Sequence, residues 1–291
     1  MSRRIALASC QALPTGDGDD LALLAPLAAL GVEASMVPWD QPGVEWSRFD
    51  ATIIRATWDY TSRREDFLAW AASVPRLHNP LSVIEANSDK SYLVDLAAAG
   101  LPVVQTWLAP IGAEPELPES GEFVLKPAVG AGSRGAGRFD AGRPGALDAA
   151  REHLRALHEA GRTVLVQPYH SGVDTAGETA LIFIDGVYSH AIGKGPMLAP
   201  GVRHQVDGPA YVLENITSRQ PSEEELAVAD KVFAYADGQQ EQDLLYARID
   251  LLPGPEGPVV VELELVEPSL YLSYSDTAAG LLAAAISARL S

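Results

Sequence analysis

Two apolar segments near the C-terminus carry their charges in strict alternation. Tyr246-Ala-Arg-Ile-Asp-Leu-Leu252 puts Arg248 and Asp250 on one side of a strand, and Val259-Val-Val-Glu-Leu-Glu-Leu-Val-Glu267 does the same with Glu262 and Glu264, because strand side chains repeat every two residues. Pro253-Gly-Pro-Glu-Gly257 between them is turn sequence, which predicts a hairpin of Leu244–Leu252 with Pro258–Val266. Carboxylates that face each other across paired strands repel unless a cation lies between them. An all-oxygen cluster suits Mg²⁺. The plain alternative is a charged sheet face turned to water, but strands this apolar favour the metal.

Upstream, strand and helix signals alternate. Arg4–Ser9, Val32–Trp39 and Asp50–Thr57 read as strands, Leu21–Leu30 and Glu65–Ala72 as helices. That order predicts a small parallel α/β domain over 1–85, with function at the carboxyl ends of its strands. Those ends are the loop Asp17–Asp20, expected to be a solvated helix cap, and Arg55-Ala-Thr-Trp-Asp-Tyr60. Trp58 and Tyr60 read most simply as core aromatics.

Beyond residue 86 the texture becomes antiparallel α+β. Asn87-Ser-Asp-Lys90 opens a helix expected to run to Ala99, capped by Asn87 or Ser88 and stopped by Gly100. A strand at Phe123–Lys126 leads into a glycine-rich loop, Gly130–Gly137, then a helix at Ala146–Ala160 and a strand at Thr163–Tyr169. Asp185-Gly186 signals a hairpin of Thr179–Ile184 with Val187–Ile192. Ser222-Glu-Glu-Glu225 is a capping-box start for a helix to Ala236, and the last helix spans Thr277–Leu290. The loop matches G-x-G-x-x-G, but no helix can open after Gly135, so a dinucleotide site is disfavoured. A Walker A loop is absent, since Tyr188 stands where Gly193-Lys194 would need a glycine. What remains is a flap able to lay backbone N–H groups over phosphates. Lys90, Lys126 and Lys194 stand at element ends among apolar or glycine neighbours, where an ammonium needs an anionic partner.

The 291 residues carry a formal net charge of −18. Such a balance argues against nucleic acid or anionic membrane as partner, yet leaves room for a local cationic site. A single cysteine, Cys10, permits neither an internal disulfide nor a thiolate zinc site. Without a run of about 20 apolar residues, a cytoplasmic protein is expected.

Taken in order, Lys90, Lys126 with its flap, Val164-Leu-Val-Gln-Pro-Tyr169, Glu178, Lys194, Arg248-x-Asp250 and Glu262-x-Glu264 resemble the ATP-grasp superfamily over about residues 86 to 270. The resemblance implies an α/β N-terminal domain followed by an α+β ATP-grasp fold, with subdomains 86–166 and 167–291 clasping ATP between them. It implies ATP with Mg²⁺, or Mn²⁺ in its place. Lys90, Lys126, Lys194, Gly130, Gly132 and Ser133 would meet the phosphates, Gln167, Pro168 and Tyr169 the adenine, and either Asp174 or Glu178 the ribose. Asp250, Glu262 and Glu264 would hold the metal; the last ligand is usually Asn, so Glu264 adds a charge. Arg248, Lys194 and Glu267 would act in catalysis.

The segments Arg-Ala-Thr-Trp-Asp-Tyr, Asn-Ser-Asp-Lys and Glu-Leu-Glu-Leu-Val-Glu-Pro-Ser further resemble a bacterial group that includes cyclo-ligases of O-ureido-D-serine. This implies a small amino-acid-like substrate, carboxylate activation as an acylphosphate, and closure of a five-membered ring within one molecule. Asp17, Arg55, Thr57, Asp59 and Ser269 would be its contacts, and a homo-oligomer is allowed. The rivals are an intermolecular amino-acid or peptide ligase and a non-catalytic nucleotide-binding module.

Overall fold

The computed structural model describes residues 3–205 and 215–290. The first part is the expected parallel layer: β1 (Arg3–Ser9), β2 (Val32–Pro38), β3 (Ala51–Ala56) and β4 (Leu77–His78), in the order β2-β1-β3-β4, with α1 (Gly18–Ala29) and α2 (Arg64–Ser73) as crossovers. Every residue of β1 from Ile5 to Ser9 is buried, as a parallel strand covered on both faces requires. Helix α1 begins three residues before Leu21. Asp17 caps it, and Asp20 returns the bond to the Asp17 N–H. Asp19 and Asp20 are not a solvated cap, being only 8% and 1% exposed. Asp20 is buried because it neutralises Arg55, whose Nε lies 2.9 Å from Asp20 Oδ1. Arg55 also donates to Pro268 O, strapping this layer to the far end of the chain.

Next come α3 (Leu81–Asn87) and α4 (Tyr92–Ala98), in place of the single helix expected from Asn87. The break at 88–91 has local causes. Asp89 accepts from the Ser91 N–H, and the Lys90 N–H turns out to Ala128 O at 2.9 Å, so side chain and loop outcompete the helical ladder. Asn87 is no cap. Its amide donates to Leu263 O and accepts from Leu265 N.

The second sheet joins β5 (Trp107–Ala109), β6 (Glu122–Pro127), β7 (Gly137–Asp140) and β8 (Val164–Pro168) in the antiparallel order β5-β8-β6-β7, with α5 (Ala146–Glu159) packed on one face. The glycine flap is the β6–β7 connection. A strand follows it, which removes the dinucleotide geometry.

After the short α6 (Val173–Ala176), the third sheet contains β9 (Glu178–Ile184), β10 (Val187–Lys194), β11 (Ile216–Arg219), β12 (Tyr246–Gly254) and β13 (Gly257–Glu264), ordered β11-β10-β9-β12-β13. Asp185 and Gly186 both take positive φ, as the tight hairpin demands. Helix α7 (Glu223–Gly238) covers one face, stacking Phe233 on Phe183, and α8 (Ala278–Ala288) fills the gap towards α1. Leu282 and Ile286 of α8 join Ile5 and Leu7 of the first sheet and Ile182 and Ile184 of the third in one apolar cluster. The outer edge of β13 is blunted by Asn87, by the Tyr92 hydroxyl at Leu263 N, and by main-chain bonds between Val260 and 102–104.

Asn79 is the most economical tie among these layers. It is buried, donates to Tyr246 O (3.0 Å) and Leu265 O (2.8 Å), and accepts from Leu245 N (2.8 Å). Asn79→Ala would orphan three buried main-chain groups. We expect a loss of about 3 kcal/mol in denaturant unfolding, whereas an unchanged midpoint would show that the tie contributes nothing.

Candidate active site

The second and third sheets face each other across a cleft. Lys126, the flap and 167–170 line one wall; Glu178, Lys194, Arg248, Glu262 and Glu264 line the other. The β12–β13 register sets Asp250 opposite Glu262 and Arg248 opposite Glu264. One carboxylate oxygen from each of Asp250, Glu262 and Glu264 lies within 4.8 Å of the others. The hairpin thus delivers the cluster that strand alternation foretold.

Cations hold this cluster together. Arg248 donates from Nε to Asp250 Oδ1 and from Nη2 to Asp250 Oδ2, both at 2.9 Å, and its Nη2 also reaches Glu264 Oε1. Lys194 Nζ lies 2.6 Å from both Asp250 Oδ2 and Glu178 Oε1. Gly177 permits this meeting: a Cβ there would lie 2.6 Å from Lys194 O. Lys90 Nζ pairs with Glu262 Oε1 at 3.0 Å and donates to the flap at Gly130 O. The Lys126 ammonium makes no hydrogen bond to any described residue.

Burial and charge separate the protonation behaviour of these groups. Complete burial would raise Asp250, but Arg248 and Lys194 overcome it and hold the carboxyl well below its usual range. Desolvation wins at Glu264, which is pushed up to about 8 against the Arg248 charge, with Glu262 and Asp250 adding to the rise. Glu178 rises to about 7 by burial, opposed by Lys194. Burial lowers Lys126, with Glu262 opposing and Lys90 reinforcing. A cleft that strips water from an unpaired ammonium and collects carboxylates has an anion end and a cation end. The all-oxygen donor set fits Mg²⁺, and Lys126 fits a polyphosphate.

A second hollow of about 90 Å³ opens off the cleft, and the two share Lys90, Gly130–Gly132, Arg248, Glu262 and Glu264. Its remaining wall includes Trp58, Tyr60, Glu267, Ser269 and Tyr271. Glu267 is lifted to about 7 by burial, against the pull of Lys90 and a hydrogen bond from Tyr60. Arg248 Nη1 donates to Ser269 O.

The remaining expected residues divide clearly. Gly130, Gly132, Ser133, Gln167, Pro168 and Tyr169 border the cleft, although the Gln167 amide is spent on Thr106 Oγ1. Asp174 is not among the lining residues. Arg138, stacked 3.5 Å over the Tyr169 ring, takes both its oxygens, and the Tyr169 hydroxyl donates to one. Glu178 does line the cleft. Four of the expected substrate contacts lie outside the second hollow. Asp17 caps α1, Arg55 is tied to Asp20, and Asp59 accepts from Trp39 Nε1 and Arg63. Thr57 is fully buried, its hydroxyl without a partner among the described residues. Trp58 was expected in the core but walls the hollow; its place just past β3 was the available signal. Nothing in the sequence marked Tyr271.

The family described as "D-cycloserine synthetase DcsG, N-terminal domain" matches residues 5–81. The cycloserine biosynthesis protein DcsG of Streptomyces lavendulae is 37% identical to this chain, with 94% of each covered. The chain belongs to the DcsG family of ATP-grasp ligases. The crystal structure of D-cycloserine synthetase DcsG agrees, with a TM-score of 0.88 at 35% identity, covering 99% of this chain and 100% of that one. The D-alanine–D-alanine ligase of Bacillus anthracis complexed with ATP shares the fold at TM-score 0.66 and 14% identity, over 99% of this chain and 97% of its own. The enzyme is therefore an ATP-dependent ligase that forms C–N bonds, as the motif order implied. Among the described residues, no helix is long and apolar enough to cross a membrane.

As a Mg²⁺ ligand Glu264 would have to be ionised, and burial pushes the cation-free carboxyl up to about 8. Mg²⁺ affinity, measured by calorimetry with ADP present, should therefore fall by up to about tenfold per pH unit below 8, with proton release on binding. Constant affinity between pH 6 and 8, without proton release, would contradict this.

Proposed function

We propose that the cleft binds MgATP and that the adjoining hollow holds one amino-acid-like molecule, O-ureido-D-serine or a close analogue, which the enzyme cyclises to D-cycloserine or the matching ring. The observation that carries this reading is the shared wall. Arg248, Glu262, Glu264 and flap residues 130–132 border both spaces, so a phosphoryl donor on one side can meet a carboxylate on the other. The hollow's small volume favours one compact substrate over a peptide.

Asp250, Glu262 and Glu264 would hold Mg²⁺, which would neutralise charge on the phosphate oxygens, with Mn²⁺ able to substitute. Lys126 and Lys90 face the phosphates, while Lys194 fixes Asp250 and Glu178. The backbone of 167–169 borders the adenine and Glu178 is the carboxylate available to the ribose. A substrate carboxylate oxygen attacks the γ-phosphorus, the bond to the bridging oxygen breaks, and ADP departs. The substrate's own oxygen-bonded ureido nitrogen then attacks the acyl carbon, the C–N bond forms, and phosphate leaves with the C–O bond electrons. To reach D-cycloserine, water then adds to the carbamoyl carbon, the bond from that carbon to the ring nitrogen breaks with its electrons and a proton going to the nitrogen, and the carbamate released falls to CO₂ and NH₃. Arg248 stands where charge collects in the first two steps. Glu267, near neutrality and held by Tyr60, accepts the proton lost by the nitrogen. The flap excludes water from the acylphosphate. Consumption of ATP fits a cytoplasmic setting.

The enzyme with ATP, Mg²⁺ and O-ureido-D-serine alone should release phosphate, ammonia and a product of the mass of D-cycloserine. A requirement for an added amine would point to an intermolecular ligase, and no phosphate release with any amino acid to a binding module. Glu262→Gln is the sharper variant, because Asp250→Asn would strand the buried Arg248 and Lys194 and cost about 3–5 kcal/mol. Glu262→Gln should keep its circular dichroism and lose at least about a hundredfold in kcat; full activity would sink the metal assignment.

A further inference from the structure

Arg134 joins the flap to the turn that walls the substrate hollow. Residues Trp58–Ser62 form a 3-10 turn at the carboxyl end of β3, and Trp58 and Tyr60 project from it into the hollow's wall. Arg134, within the flap, donates from Nη2 to Trp58 O at 3.1 Å and to Thr61 Oγ1 at 2.8 Å. Its Nε turns back to Ala131 O of the flap itself. Thr61 is buried, and its carbonyl is held by Arg162 Nη1 at 2.6 Å. The turn is therefore anchored from the base of the second sheet while Arg134 grips it from the flap. Between Arg134 and Gly130, whose carbonyl Lys90 holds, lie Ala131 and Gly132, which with Gly130 are the flap residues that wall both spaces.

We infer that Arg134 is a latch: it lets the flap close over the nucleotide only in register with the 58–62 turn, so that phosphoryl transfer is enabled when the substrate wall is in place. This rests on the function proposed above. Arg134 also borders the nucleotide cleft, but the bonds named here run to the 58–62 turn, and through them it acts as a positioning residue. Its planar fork can serve the flap and the turn together, whereas a lysine ammonium carries a compact charge on a flexible stem without that fixed geometry. The glycines on either side, Gly130, Gly132 and Gly135, leave the segment too pliant to hold that register alone.

Two measurements test the latch. Limited trypsin digestion reports it without reference to activity, because the Arg134–Gly135 bond is itself a cleavage site. Thr61→Val removes the buried acceptor while keeping the side chain's shape. Cleavage after Arg134, located by mass, should then run about tenfold faster than in the wild type; an unchanged rate overturns the latch. In steady-state assays Arg134→Ala should raise KM for the amino-acid substrate by about tenfold and release more ADP than product, with Arg134→Lys in between. A lower kcat with unchanged KM and one ADP per product would overturn the coupling. A wild type that makes no ADP with any substrate would remove the coupling together with the functional reading, and the trypsin rates would still decide the latch.

Discussion

Asp250 is the group on which the site is built. It is fully buried, and its two oxygens are divided between Arg248 and Lys194. A carboxylate in such a place persists only if its charges are matched, and the matching fixes its neighbours. Lys194 carries Glu178 with it, and Arg248 carries Glu264 and the Ser269 carbonyl. From one ion pair in β12 the arrangement spreads across the third sheet and into the segment that walls the substrate hollow.

The same network concentrates charge of both signs. Lys90, Lys126, Arg134, Lys194 and Arg248 border the two spaces together with Glu178, Glu262, Glu264 and Glu267, and Asp250 is buried beside them. Burial moves Glu264, Glu178 and Glu267 toward neutrality. Glu264 bears on the departure from the usual amide at the last ligand position: kept protonated by burial, it need not add its charge until a cation arrives. The scaffold around them is rigid for a reason. Asn79, Arg55 and the Asn87 amide tie the first sheet and the α3–α4 break to β12, β13 and the segment beyond.

Much of this was legible in the sequence where a local rule decided the outcome. Period-two alternation placed Glu262 and Glu264 on one face, Asp185-Gly186 made its hairpin, and Ser222 with Glu225 made its capping box. Composition said nothing about tertiary partners, and that is where expectation and structure part. Asp20 looked like a solvated cap because Arg55, thirty-five residues on, was invisible to local reading. Arg55 and Asp59 looked like substrate contacts because they end a strand, yet each is consumed by a distant partner. The 87–99 segment has helical residues throughout, but Asn87 was needed on β13 and Lys90 at the flap, so the helix broke.

Carboxylate activation is the central chemical claim, and positional isotope transfer tests it directly. Substrate carrying ¹⁸O in its carboxylate should deliver one labelled oxygen to each phosphate released, because the oxygen that attacks the γ-phosphorus leaves with it. Phosphate free of label, beside normal product formation, would mean that no acylphosphate forms and would contradict the account.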